Sequence, residues 1–203
     1  MKALLTPALF VLFSICSLKA QTTFGVKGGS SLSFMSIDDH KSVLLFHAGA
    51  FGEIPLNDKF FLRPELLFSR KGTMQTRKSD YYLDFAFSYL CLPAMAGLKA
   101  TDRLSLLIGP EISYMLDGRM YVYDDQVSSD AELFASWDLA IDFGMAYQIA
   151  NRLSAELRYC HGLVNVIDIM FTDPIGRPIG SLDEGKNIGL QLSLSYVLSS
   201  NKS

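Results

Sequence analysis

The feature that most limits how this chain can fold is the strict alternation of apolar and polar residues near its C-terminus. Within residues 187–197, the apolar positions are Ile188, Leu190, Leu192, Leu194 and Tyr196, and the residues between them are polar or glycine. Successive side chains of a β-strand point to opposite faces, whereas a helix would scatter these apolar side chains around its circumference. The segment is therefore predicted to be a strand with one apolar and one polar face.

Seven other segments repeat this alternation, namely residues 24–35, 43–54, 60–71, 81–98, 104–117, 137–149 and 153–164. Segments 43–54 and 81–98 alternate less cleanly, and we expect the second to change face near Pro93, as at a β-bulge. In segment 104–117, Leu107 and Met115 interrupt an otherwise polar face. After residue 20, no apolar run approaches the roughly 18 residues of a spanning helix.

The connections between these segments alternate strictly between short and long. The short ones are residues 55–59, 99–103 and 150–152, and the long ones are residues 36–42, 72–80, 118–133 and 165–185. Outer-membrane barrels have this arrangement, with short turns in the periplasm and long loops outside. We therefore predict an all-β fold in which residues 21–203 form one eight-stranded antiparallel up-and-down transmembrane β-barrel.

The N-terminal region differs from the rest of the chain. Lys2 precedes a nearly continuous apolar stretch over residues 3–18, and the small residue Ala20 precedes Gln21. This layout predicts that residues 1–20 are a cleaved secretory signal peptide that exports the chain. Together with the barrel pattern, it predicts a location in the outer membrane of a Gram-negative cell. An N-terminal membrane anchor is the alternative, although the apolar stretch is short for a spanning helix. Acylation of Cys16 is disfavoured by the bulky Ile15 before it.

The charge composition excludes one class of partner. The net charge is −3, and no basic block or stripe is present, so binding of nucleic acid has no electrostatic support. Two cysteines follow the predicted signal peptide, Cys91 and Cys160. They could form a disulfide in an exported chain, but we interpret them as small apolar fillers on different strands.

The polar faces carry ionisable residues of both signs, which are Lys27, Arg63, Glu65, Glu111, Asp138, Asp142, Glu156 and Arg158. In a membrane barrel the apolar faces contact lipid and the polar faces line the lumen. An eight-stranded barrel is only wide enough to be filled by its own side chains, and unpaired charges there would be costly. We therefore predict a structural network of ion pairs that forms a polar plug. A narrow pore for ions or small solutes is the alternative.

Several short motifs are similar to those of a known family. They are FGVKGG at residues 24–29, FLRPEL at 61–66, LCLP at 90–93, DLAIDFG at 138–144 and LRYCHGL at 157–163. In order and spacing they resemble the PorT-type porin family, also called the outer-membrane β-barrel domain family, over residues 22–198. The resemblance implies a barrel that the outer-membrane assembly machinery inserts into lipid. Residues 187–196 are similar to the terminal signal of that machinery's substrates, although the chain ends in a polar tail instead of an aromatic residue.

Catalysis has little support in the sequence. The candidate general bases are the three histidines, His40, His47 and His161. A lipid-modifying hydrolase would need a histidine in contact with a serine and an acid, but His161, Ser113 and Asp117 fall on strands that are not neighbours. No nucleophile-elbow, phosphate-loop or Cys-x-x-Cys motif is present. His40 beside Asp38 and Asp39 is better explained as an exposed acidic loop than as a metal site. We predict no catalytic site, metal or cofactor, and keep a lipid-modifying enzyme as the least favoured alternative.

The long loops are the predicted working surface, because loops on a rigid scaffold often carry recognition. The longest, residues 165–185, includes Phe171, Asp173 and Arg177 as candidate contacts for a protein partner. The same segment could instead extend the strands above the membrane or form a solvated lid.

Overall fold

The computed structural model describes residues 22–36, 40–75, 83–122, 125–128, 134–172 and 178–200. Within these ranges the regular structure consists entirely of β-strands, and they contain no helix with the length and apolar character of a membrane span. The predicted signal peptide, residues 1–20, lies outside the described residues.

The strands of the described residues are, in chain order, β1 (Thr23–Met35), β2 (His40–Lys41), β3 (Val43–Pro55), β4 (Phe60–Gln75), β5 (Leu83–Lys99), β6 (Leu104–Val122), β7 (Asp125–Ser128), β8 (Trp137–Ala150), β9 (Leu153–Gly162), β10 (Ile167–Thr172), β11 (Pro178–Glu184) and β12 (Asn187–Ser200). Eight of them form the wall, in the order β4-β3-β1-β12-β9-β8-β6-β5. They match the eight strands that the alternation predicts.

The wall closes on itself. β5 pairs back with β4, and the first and last strands pair from Thr23↔Ser200 to Met35↔Asn187. Every neighbouring pair is antiparallel. Closure gives every strand of the wall a partner on both sides, so the wall has no edge strand, as β-structure in lipid requires. The predicted eight-stranded up-and-down barrel is confirmed.

The short connections lie together at one end of the barrel, here called the turn end. In the first, the Asn57 side-chain oxygen accepts hydrogen bonds from the backbone N–H groups of Lys59 and Phe60, at 2.9 and 2.8 Å. In the second, Thr101 Oγ1 accepts one from the backbone N–H of Leu104 at 3.0 Å. Such local bonds from polar side chains favour tight turns over continued strand.

The long connections lie at the opposite end, here called the loop end, and their described parts include short strands. β10 and β11 pair with each other as a hairpin, β7 pairs with the end of β6, and β2 pairs with the end of β4. β10 and β11 form a separate two-stranded sheet, so the segment after β9 does not continue the ladders of the wall.

The two faces of the wall differ as expected. Large apolar side chains, such as Leu192 and Trp137, are exposed on the outside, whereas Glu111 and Arg158 are buried on the inside. A soluble β-sandwich would show the opposite arrangement, with its apolar faces packed against each other. Apolar residues outside and polar residues inside are typical of a membrane barrel.

The prediction that β5 changes face near Pro93 is wrong. Phe85, Tyr89, Pro93 and Met95 all lie on the inner side of β5, so its alternation continues through the proline. The pattern looks irregular in the sequence because the inner face of this strand is as apolar as its outer face. The bulge lies elsewhere, on β6, where the register with β5 shifts between Ser88 and Tyr89.

Candidate functional site

A network of buried ion pairs fills the interior toward the turn end. Lys27 Nζ lies 2.7 Å from Glu156 Oε1 and 3.2 Å from Glu65 Oε2. Arg158 contacts Glu65 at 2.7 Å, Glu156 at 2.7 Å and Asp142 at 3.2 Å. All these side chains are fully buried, and they come from β1, β4, β8 and β9. The pairs therefore cross the lumen and join separate parts of the wall.

Arg63 links this network to the turn end. Its guanidinium lies 3.0 Å from Glu156 and 2.8 Å from the partly exposed Glu53. The same group lies 5.2 Å from the ring centre of Phe51 and 5.4 Å from that of Phe61, within the range of cation–π attraction. Glu53 is not among the predicted network residues, because it lies at the less regular end of β3.

A second cluster surrounds Lys71 nearer the loop end. Lys71 Nζ lies 2.9 Å from Glu111 and 3.0 Å from Asp138. Ser113 donates to Glu111 at 2.9 Å, and the Asn187 amide donates to Asp138 at 2.9 Å. Lys71 is not among the predicted network residues, although it alternates in step with Arg63 and Glu65 on the inner face of β4.

The structure thus places all eight residues of the predicted network inside the barrel. Lys27, Arg63, Glu65, Asp142, Glu156 and Arg158 meet in the first cluster, and Glu111 and Asp138 meet in the second. His47 is a further buried polar residue, with Nε2 2.7 Å from Ser193 Oγ.

The interior is layered, which corrects the expectation of a wholly polar plug. Beyond the Lys71 cluster, Phe85, Phe87 and Phe134 pack with Val166 and Ile167 at the loop end; the rings of Phe87 and Phe134 are 5.0 Å apart. At the turn end, a smaller apolar group contains Phe61, Met95, Leu107 and Ala146. Apolar residues on inner faces, including Leu107 and Met115, are therefore parts of these layers.

A small cavity between β1, β4 and β12 has a volume of about 10 Å³, which is roughly the space that one water molecule needs. Within the described ranges, no group of three or more His, Cys, Asp and Glu side chains is arranged to hold a metal ion.

The residues considered for catalysis are not brought together. His161 Nδ1 lies 3.0 Å from the hydroxyl of Tyr159, whereas Ser113 faces the interior beside Lys71 and Glu111. The side chain of His40, together with Asp38 and Asp39, lies outside the described residues. Cys91 and Cys160 are free and buried, and they lie on β5 and β9, which are not neighbours, as predicted.

The structure describes only part of the loop that carries the predicted partner contacts. Phe171 belongs to β10, but its side chain is not described, and Asp173 and Arg177 lie outside the described residues. Their role in binding a partner stays a prediction.

Comparison with known proteins gives three findings. The model of the family "Outer membrane protein beta-barrel domain" matches residues 17–168. Neisserial surface protein A has a similar structure, with a TM-score of 0.53, 12% identity, and coverage of 87% of this chain and 97% of that one. OprG from Pseudomonas aeruginosa is more distant, with a TM-score of 0.47, 12% identity, and coverage of 88% and 97%. No curated protein matches the sequence.

Proposed function

Because the chain belongs to the outer membrane protein beta-barrel domain family, we propose that it spans a Gram-negative outer membrane as a closed, rigid scaffold for its external loops. The observation that carries the proposal is the packed interior, in which ion pairs cross the lumen and apolar layers lie over them at both ends. Export by the predicted signal peptide, residues 1–20, and insertion by the outer-membrane assembly machinery are parts of this proposal.

Rigidity is supported by the way the interior contacts join the wall. The two charged clusters and their hydrogen-bond partners include residues from every strand of the wall, with β5 contributing Tyr89 and β12 contributing Asn187. Removing one partner of a buried pair leaves an uncompensated charge, at a cost of about 3–5 kcal/mol. A wall held by many such contacts supports loops in fixed positions.

The external loops are the proposed recognition surface. Phe171 belongs to β10, and Asp173 and Arg177 fall between β10 and β11 in the sequence. A protein partner is the occupant we propose for this loop. Membership of the PorT-type branch of the family is likewise a proposal, and it rests on the motifs at residues 24–29 and 138–144.

A narrow pore is the second candidate, and the charged interior is the observation that favours it. The layered packing favours the closed scaffold, because Phe85, Phe87 and Phe134 cover the ion pairs at the loop end. A pore would require these rings to leave the interior.

One set of measurements on the full chain tests the proposed function. We expect the protein in the outer-membrane fraction, with faster gel migration before heating than after it, because a closed barrel resists detergent without heat. In planar bilayers we expect no steady conductance. A soluble periplasmic product would contradict the membrane location, and steady ion current through the unmodified protein would contradict closure and favour the pore.

A further inference from the structure

The wall of the barrel contains an unpaired seam between β3 and β4 near the loop end. Pairing between these strands reaches His47↔Ser69 and then stops. The rest of β3, residues 43–46, pairs with β1 on its other side, and residues 70–73 of β4 pair with β5. No ladder joins residues 43–46 to residues 70–73, although the structure describes both stretches in full.

β4 bends inward along this seam. The backbone N–H of Gly72 donates a hydrogen bond of 3.0 Å to Ser33 Oγ, although Ser33 belongs to β1, on the far side of β3. Above the seam, Thr73 Oγ1 donates to the Lys41 carbonyl oxygen at 2.9 Å, and Lys41 pairs with Met74. The seam is therefore a bounded gap, closed above by β2 and below by the pair His47 and Ser69.

Arg70 lies in this seam. Its position in the alternation of β4 matches that of the outward-facing Leu66 and Phe68, and the residue also borders the small cavity behind the seam, with Ser31, Ser33, Asn187 and Gln191 among the other lining residues. The residue is half-buried, and its Nε–H is buried without a hydrogen-bond acceptor.

Arg70 differs from the other cations of the interior in having no counter-ion. Lys27, Arg63, Lys71 and Arg158 each contact at least one carboxylate. Among the described residues, no carboxylate forms an ion pair with Arg70. A partly buried charge without a partner is costly, so an anion from outside the chain would stabilise it.

The outer rim of the seam is apolar. Leu44, Phe46 and Phe68 are exposed there, and the rings of Phe46 and Phe68 lie 5.9 Å apart. An unpaired cation beside an exposed apolar patch matches a molecule that carries an anionic group next to hydrocarbon. A free anion would pair with the charge of Arg70 but would make no contact with the apolar patch.

The height of the seam indicates which part of the membrane it meets. Arg70 follows Phe60, the first residue of β4 at the turn end, by about the 9–11 residues that a tilted strand needs to span the hydrocarbon. If the loops face outside, as the proposed function states, Arg70 lies at the headgroup level of the outer leaflet.

We propose that this seam binds the phosphate-bearing headgroup of an outer-leaflet lipid, with the Arg70 guanidinium on the phosphate and Leu44, Phe46 and Phe68 against the acyl chains. Guanidinium groups bind phosphate through parallel charge-assisted hydrogen bonds. The cavity behind the seam is too small for a headgroup, so the lipid stays on the outer surface. The proposal rests on the membrane location given under the proposed function.

Native mass spectrometry of the full chain, folded in an uncharged detergent, tests the site. The probe is a phosphatidylglycerol, and the comparison ligands are diacylglycerol with the same chains and inorganic phosphate. We expect one tightly retained phosphatidylglycerol per barrel, and binding at least tenfold weaker for both comparison ligands. Arg70→Gln should weaken phosphatidylglycerol binding at least tenfold, whereas Arg70→Lys should retain part of it.

Arg119→Gln is the matched control, because Arg119 is an exposed arginine at the same end that is already paired with Asp117 at 2.9 Å. It should change binding less than threefold. Leu44→Glu gives a second variant at an exposed position, where the added charge should repel the phosphate and weaken binding at least tenfold. Faster gel migration before heating checks that each variant is folded.

Three results would overturn the site: unchanged lipid binding by folded Arg70→Gln or Leu44→Glu, an equal loss in Arg119→Gln, or binding of inorganic phosphate as tight as that of the lipid. A chain that never forms a heat-modifiable barrel in detergent would instead contradict the proposed function. The two failures are therefore distinguishable in the same preparation.

Discussion

Replacing Arg158 with methionine is expected to lower the free energy of unfolding by about 3–5 kcal/mol, because the change leaves a buried ion network without its central cation. Arg158 contacts Glu65, Glu156 and Asp142, and all of these side chains are fully buried. Methionine has a similar length but supplies no charge and no donor, so three carboxylates lose a partner at once. Urea unfolding of the barrel in phospholipid vesicles measures the change.

Two further substitutions test whether the effect of Arg158→Met comes from losing the buried cation. Arg158→Lys restores one charge without the five donors of the guanidinium, so its loss of stability should be smaller than that of methionine. Arg119→Met removes an arginine from a solvent-exposed pair and should leave the unfolding midpoint unchanged, since exposed pairs contribute little. Wild-type stability in Arg158→Met would show that the network is dispensable.

Replacing Leu192 with arginine is expected to destabilise the barrel by about 2–4 kcal/mol, because the outer face at mid-strand contacts hydrocarbon. Leu192 is 60% exposed and lies near the middle of β12, opposite Ser30 on one side and Leu157 on the other. An arginine there must either enter the lipid or bend toward a headgroup. The free energy of unfolding in vesicles is again the measurement.

Leu56→Arg is the matched control for Leu192→Arg. Leu56 is 53% exposed, but it lies in the short connection between β3 and β4, beyond the apolar band. In a water-soluble protein the two substitutions would have similar and small effects. A neutral result at both positions would contradict lipid contact along β12, whereas a large cost at position 192 alone agrees with it.

The wall could be predicted from the sequence because its two faces differ in polarity along most strands. β8 is the clearest case, since Trp137, Leu139 and Ile141 lie outside and Asp138 and Asp142 lie inside. The turns could be placed because residues such as Asn57 and Thr101 form local hydrogen bonds whose partners are a few positions away. Both signals depend on residues that are close together in the sequence, so they can be recognised without knowledge of the fold.

The layers of the interior could not be predicted, because they depend on which inner residues share a height in the folded barrel. Phe85 and Phe87 on β5 meet Phe134, which lies between β7 and β8. Both faces of β5 are apolar, so its alternation alone does not indicate which face turns inward. Contact between distant parts of the chain decides which face turns inward.

The seam between β3 and β4 could not be predicted from the sequence either. The alternation of β4 places Arg70 on the outer face with Leu66 and Phe68, but only the path of the folded strand shows that the residue also borders the cavity behind β3. That path depends on the Gly72–Ser33 hydrogen bond and on the pairing of β2 with β4. Neither contact leaves a periodic pattern in the residues.

Fluorescence of Trp137, the one tryptophan in the sequence, tests the central claim most directly. Trp137 begins β8 at the loop end, is 57% exposed on the outer face, and lies 4.9 Å from the Tyr114 ring. In vesicles of lipids brominated on their acyl chains near the headgroup, we predict strong quenching of its emission, with little quenching by iodide in the water. Strong quenching by iodide, together with full emission in brominated lipid, would show that the apolar face meets water and would contradict the account.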